Sequence, residues 1–154
     1  KIDEEHSARL LLVGDGPQRS QIEAKVRRLG LEHRVRFLGK LRDFAHILSA
    51  ADLFILPSES ESFGLAALEA QACGVPVIAS DVGGLPEVIL HKATGLLTPL
   101  GDDQAMIAAI NSLLNDTPRR EEMKRRARER ALELFQLEPI IDRYERLYRR
   151  LLAE

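Results

Sequence analysis

Residues 51–88 read ADLFILPSESESFGLAALEAQACGVPVIASDVGGLPEV, and the order of elements within them decides the fold. Leu53 to Leu56 is a short apolar run ended by Pro57, and such runs suit strands buried on both faces of a parallel sheet. Gly64 to Ala72 predicts a helix, and Val75 to Ala79 predicts the next strand. Gly83–Gly84 then opens a short helix over Leu85 to Ile89.

The same alternation continues outward in both directions. Upstream, Arg9 to Val13 (RLLLV) predicts a strand covered on both faces, ending at Gly14–Asp15–Gly16–Pro17. Pro17 suits a first helical turn, and Ile22, Val26 and Leu29 recur at helical spacing until Gly30. Val35 to Leu38 predicts a second strand, and Asp43 can cap a short helix through Ala50. Downstream, Gly95 to Thr98 predicts the last strand. From Asp102 the pattern is helical, with stripes at Ile107, Ile110 and Leu114, then Met123, Ala127, Ala131 and Leu134, then Ile140, Tyr144, Leu147 and Leu151. Pro118 and Pro139 stand where helices begin. Strands alternating with helices predict a Rossmann-like, doubly wound α/β parallel sheet, whose ligands bind at the carboxyl ends of the strands.

A chain of 154 residues, 45% apolar and 30% charged, fits one soluble domain over 1–154 with its own core. A net charge of −2 gives no electrostatic reason to expect nucleic acid. No apolar run approaches the ~20 residues that span a bilayer. The single cysteine, Cys73, forms no internal disulfide and suits a buried apolar role, and the chain is expected to be cytoplasmic. It begins without Met, and Lys1 to His6 reads like a helix tail or loop entering a strand, so a piece of something longer is expected.

The densest chemistry lies at Glu61 to Glu69. A helix beginning near Phe63 would present the backbone N–H groups of Gly64, Leu65 and Ala66, an anion site suited to a diphosphate. Glu69, about two turns in, could accept ribose hydroxyls, and Glu61 at the mouth could accept sugar hydroxyls. Taken singly, each has a structural explanation: the helix dipole favours Glu61, and Glu69 could be a solvated surface residue.

The pattern Glu61-x7-Glu69 within PSESESFGLAALEAQACGVPVIASDVGGLPEVI resembles the signature of family 4 retaining glycosyltransferases of the GT-B fold. LLLVGDGP at Leu10 to Pro17, RFLGK at Arg36 to Lys40 and ATGLLT at Ala93 to Thr98 stand in that family's order. The resemblance implies a C-terminal donor-binding domain. Glu61, the catalytic-site carboxylate, would lie near the donor sugar, and Glu69 would hold the ribose. Phe63, Gly64, Leu65 and Ala66 would surround the diphosphate, Gly14 and Gly16 would face the pyrophosphate, and Leu38 and Lys40 would lie where the base docks. Within the family the long stretch is especially similar to members joining N-acetylglucosamine from UDP-GlcNAc to L-malate. That implies this donor and acceptor, although members using UDP-, GDP- or ADP-sugars share most of these residues.

The family's phosphate-binding Arg and Lys stand on a βα unit preceding LLVGDGP. The resemblance therefore implies that this βα unit and an amino-terminal acceptor domain are missing, and that the chain alone is inactive. No cofactor or metal is expected, since His6, His33, His46 and His91 lack ligand spacing. Alternatives are a non-catalytic sugar-nucleotide-binding module and a nicotinamide-binding oxidoreductase. The latter is disfavoured because Arg19 replaces the third glycine of the Gly14-Asp-Gly16 fingerprint. Gly-x-Ser-x-Gly is absent, which argues against a serine hydrolase. Arg119 to Arg130 interleaves with Glu121, Glu122 and Glu129 and predicts a solvated helix face, with membrane-surface attachment a lesser alternative.

Overall fold

A computed structural model describes residues 8–153. The expectation for Lys1 to His6 lies outside the described residues. The elements run β1 (Leu10–Val13), α1 (Arg19–Arg28), β2 (Val35–Gly39), α2 (Ala45–Ser49), β3 (Phe54–Leu56), α3 (Leu65–Ala72), β4 (Val77–Ser80), α4 (Leu85–Val88), β5 (Gly95–Thr98), α5 (Asp103–Leu114), α6 (Thr117–Leu134) and α7 (Leu137–Leu152). Every strand and helix expected from the sequence is present. The chain forms two compact units, Lys1–His46 and Ile47–Glu154.

In the first unit β1 and β2 pair in parallel, with Leu10 opposite Val35 and Leu12 opposite Phe37. The expectation that β1 is buried on both faces is not met. Leu10, Leu11 and Val13 are 41%, 44% and 45% exposed. No described residue before Leu48 is buried. A two-stranded sheet carrying one ten-residue helix cannot cover both of its faces, so an apolar run there remains in solvent.

The second unit holds the buried core. Its sheet is parallel, ordered β3-β4-β5, with Phe54 opposite Val77 and Val77 opposite Gly95. Strand β4 starts two residues later than the apolar run. Gly74 and Val75 N–H groups close the end of α3 on the carbonyls of Gln71 and Ala70. Pro76 has no N–H to give the ladder. All four β4 residues are buried.

Ile78, Leu96, Ile110, Leu113 and Met123 form the core cluster, with Leu53, Ile55, Met106, Ala109 and Leu114 packed against it. Leu113, fully buried, lies off the stripe read through Ile107, Ile110 and Leu114. Helix α3 packs on α6. Ala67, Ala70, Ala127 and Ala131 are buried, and these small side chains permit the close approach. Leu134, expected on the buried stripe of α6, is 44% exposed because the helix ends there, capped by Phe135. Helix α7 buries none of its residues, so its apolar stripe faces solvent.

Asp43, the cap expected from the sequence, accepts from Ala45 N–H at 3.2 Å, and two further aspartates cap later helices. Asp102 accepts from Ala105 N–H at 2.8 Å, and Asp116 accepts from Arg119 N–H at 3.0 Å. Replacing Asp116 by alanine is expected to cost about 1 kcal/mol, since the first turn of α6 loses its acceptor. A urea midpoint unchanged from the parent would contradict this. The outer face of α6 is laced as expected: Glu122 takes Arg125 and Arg126, and Arg125 also pairs with Glu129. Hydrogen bonds from Arg125 and then Arg126 hold the exposed Glu122 carboxyl down to about 2. Among the described residues no helix is long and apolar enough to cross a membrane.

Candidate functional site

Helix α3 begins at Gly64, whose φ of +94° lies in the left-handed region. A side chain there would be strained, and its Cβ would stand 2.6 Å from Leu85 Cδ2. Because the cap is glycine, no side chain closes the helix mouth. Leu68 N–H is the first to be taken within the turn, by Gly64 O at 3.0 Å. Leu65, Ala66 and Ala67 N–H groups find no acceptor among the described residues. Three unpaired amides aligned with the helix dipole are what a diphosphate would bind.

The two glutamates flank this mouth in sequence. Glu61 is half-buried, and its Oε2 accepts a long hydrogen bond from Ser58 Oγ at 3.4 Å. Glu69 is exposed, and its carboxylate has no hydrogen bond or ion pair among the described residues. Among the described residues neither carboxylate is tied into an ion pair that would explain it structurally. Leu65 stands 65% exposed in the first turn. The Phe63 ring packs edge-on against Phe135, centroids 6.0 Å apart.

Gly14, Gly16, Leu38 and Lys40 stand in the first unit. Gly14 has φ +120° and gives its N–H to Gly39 O at 2.8 Å, so β1 and β2 are tied together at their carboxyl ends. Gly16 N–H is taken by Asp15 Oδ1 at 2.9 Å. These two amides are therefore engaged, unlike those of α3. Leu38 is half-buried in β2, and Lys40 is exposed just beyond it.

Arg19 was read from the sequence only as a missing glycine. It proves to be the cation of this loop, bonded to Glu23 at 2.9 Å and lying 5.8 Å over the Phe37 ring. Its hydrogen bond to Glu23 holds its pKa above the ordinary arginine value. Only its position after Gly-Asp-Gly-Pro could have marked it.

A cavity of about 510 Å3 opens at the carboxyl ends of β3 to β5, lined by Pro57, Glu59, Ser80, Pro99, Asp102 and Met106 among others. None of the site residues named from the sequence lines it. The sequence placed Gly83–Gly84 at the opening of a short helix but did not show its contact with Glu61, whose carbonyl accepts from Gly84 N–H at 3.1 Å. Its paired glycines were the available signal.

The family model described as glycosyl transferases group 1 matches residues 1–130. The N-acetyl-alpha-D-glucosaminyl L-malate synthase of Bacillus anthracis is 48% identical, the match covering 96% of this chain and 39% of that protein. Among solved structures, a sucrose-phosphate synthase of Thermosynechococcus elongatus aligns with a TM-score of 0.85 at 42% identity, covering 94% of this chain and 39% of that one. Anabaena HepE in complex with UDP aligns with a TM-score of 0.83 at 30% identity, covering 96% and 41%. The chain thus spans about two-fifths of the length of these relatives. Its α/β architecture with parallel sheets is that of the Rossmann-like C-terminal domain of GT-B glycosyltransferases. With family model, relatives and fold in agreement, the chain belongs to the group 1 glycosyl transferases.

Proposed function

We propose that this chain is the donor-binding part of a retaining glycosyltransferase that moves N-acetylglucosamine from UDP-GlcNAc to an acceptor hydroxyl, with L-malate the first acceptor to try. The observation that carries the reading is the open mouth of α3: unpaired amides at Leu65 and Ala66, with Glu61 before them and an unpartnered Glu69 after. The amides would hold the diphosphate and stabilise the charge it gains as the glycosidic bond breaks. They would do so without a metal. Glu61 would orient the sugar hydroxyls rather than attack, and Glu69 would hold the ribose. Gly14 and Gly16 would let the pyrophosphate approach, and Leu38 and Lys40 would meet the base.

Uridine is supported by HepE, whose structures include complexes with UDP and with UDP-glucose. N-acetylglucosamine and malate are supported by the name of the Bacillus anthracis relative. Catalysis of this type rests on positioning and electrostatics. The acceptor would be bound by the amino-terminal domain of the whole protein, so the isolated chain is expected not to glycosylate malate. The site of action in this reading is the cytoplasm.

Calorimetry of the chain with UDP, UDP-GlcNAc, GDP, ADP and NAD tests the reading. Selective binding of UDP and UDP-GlcNAc is expected. Preference for NAD, or equal affinity for all five, would overturn it. A non-catalytic module would show the same binding, but adding the amino-terminal domain would then produce no turnover.

A further inference from the structure

Glu61 sits in a segment, residues 57–64, that contains neither helix nor strand. A carboxylate that must orient a sugar hydroxyl needs its position held within about 0.5 Å, and an irregular loop does not supply that by itself. The holding contacts come from elsewhere in the second unit. Gly84 N–H donates to Glu61 O, and the Gly83–Gly84 turn lies close against the backbone of Glu61, Ser62 and Phe63. A Cβ added at Gly83 would lie 1.8 Å from Glu61 O, and one at Gly84 would lie 2.5 Å from Ser62 O and 2.9 Å from Phe63 Cα. Gly83 has φ +52°, so the backbone of the turn itself favours glycine.

The turn is in turn fixed from behind. Leu85 and Val88 are fully buried, Gln71 Nε2 donates to Val88 O, and Arg130 of α6 donates to the carbonyls of Glu87 and Val88. On the other side, Ser58 Oγ donates to the Glu61 carboxylate. Backbone and side chain of Glu61 are thus each held by one neighbour.

We propose that Gly83, Gly84 and Ser58 are positioning residues that set Glu61 for the donor sugar: the double-glycine turn fixes its main chain, and Ser58 orients its carboxylate. This rests on the reading of Glu61 as the sugar's partner. The atoms nearest a Cβ added at Gly83 all belong to Glu61, whereas in the proposed function UDP would be held by the α3 amides and Glu69. Disturbing Gly83 therefore affects recognition of the sugar and spares that of the nucleotide.

The test is the ratio of UDP-GlcNAc to UDP affinity, measured by calorimetry on the chain and its variants, with thermal melts alongside. Gly83→Ala is expected to lower UDP-GlcNAc affinity at least tenfold while changing UDP affinity less than threefold. Ser58→Ala should move the ratio the same way, about threefold or more, and Ser58→Thr, which keeps the hydroxyl, should restore it. Equal loss of both ligands in Gly83→Ala would reduce the turn to a general structural role and overturn the proposal. Should Gly83→Ala not fold, the serine pair decides: Ser58→Ala indistinguishable from Ser58→Thr overturns it. Glu61→Gln separates the two levels. If it lowers the ratio while Ser58→Ala and Gly83→Ala do not, positioning alone fails. If it leaves the ratio unchanged, or the unaltered chain binds neither ligand, the underlying reading fails with it.

Discussion

Exchanging Glu69 for alanine is expected to lower the affinity of the chain for UDP at least tenfold while leaving its fold intact. A carboxylate accepting hydrogen bonds from ribose hydroxyls contributes about 1.5–3 kcal/mol for each charged hydrogen bond, which corresponds to roughly 10- to 150-fold in affinity. Nothing in the structure compensates for its loss, because no other described residue bonds that side chain. For the same reason the folded chain loses no hydrogen bond or ion pair among the described residues. Alanine is the better helix former at this exposed position of α3, so the melting temperature should hold or rise slightly. Calorimetry with UDP and a melt of the same sample check both parts. Unchanged UDP affinity in a folded Glu69→Ala chain would remove the ribose role.

Leu113→Ala is expected to be the most damaging of the simple core truncations, at about 3–5 kcal/mol. Leu113 is fully buried between β4, β5 and α6, in one cluster with Ile78, Leu96, Ile110 and Met123. Removing its side chain loses the transfer free energy of the deleted carbons and leaves a cavity that a close-packed core closes only in part. That is a large share of a domain stability of about 5–15 kcal/mol. The informative control is its neighbour Leu114, which is half-buried at the rim of the same cluster and should cost about 1–2 kcal/mol as alanine. Urea unfolding of the two variants gives the order directly. Leu114→Ala as the more destabilising change would mean that the helix face is wrongly assigned.

The Leu113 and Leu114 pair shows where reading a sequence stops. The periodicity of residues 102–114 announces a helix without ambiguity, yet Leu113 and Leu114 both fit an apolar stripe when counted from different starting residues. Which of them is buried depends on how α5 is rotated against β4 and α6, and that is a packing outcome. The same holds at Leu134 and along α7, where helical spacing is correct and burial is not. Apolar periodicity reports the face that could be covered, and only a covering element buries it. Strand β1 is the clearest case: RLLLV has the composition of an interior strand, but its two-stranded sheet leaves it in solvent.

For the candidate site, the division falls along sequence separation. Gly64, Leu65, Ala66, Glu61 and Glu69 are neighbours in one strand-end loop and helix, so the helix period alone is enough to put two carboxylates around one set of amides. The order of strands and helices, the Asp43 cap and the glycine at the helix mouth were likewise determined by local chemistry and legible as such. What only the tertiary structure decided is the contact of Gly83–Gly84 with Glu61, the engagement of the Gly14 and Gly16 amides, and the burial of each helix face. These depend on groups brought together by packing or on the particular path of a turn, and no local propensity encodes the distance between a carbonyl at Glu61 and a turn more than twenty residues away.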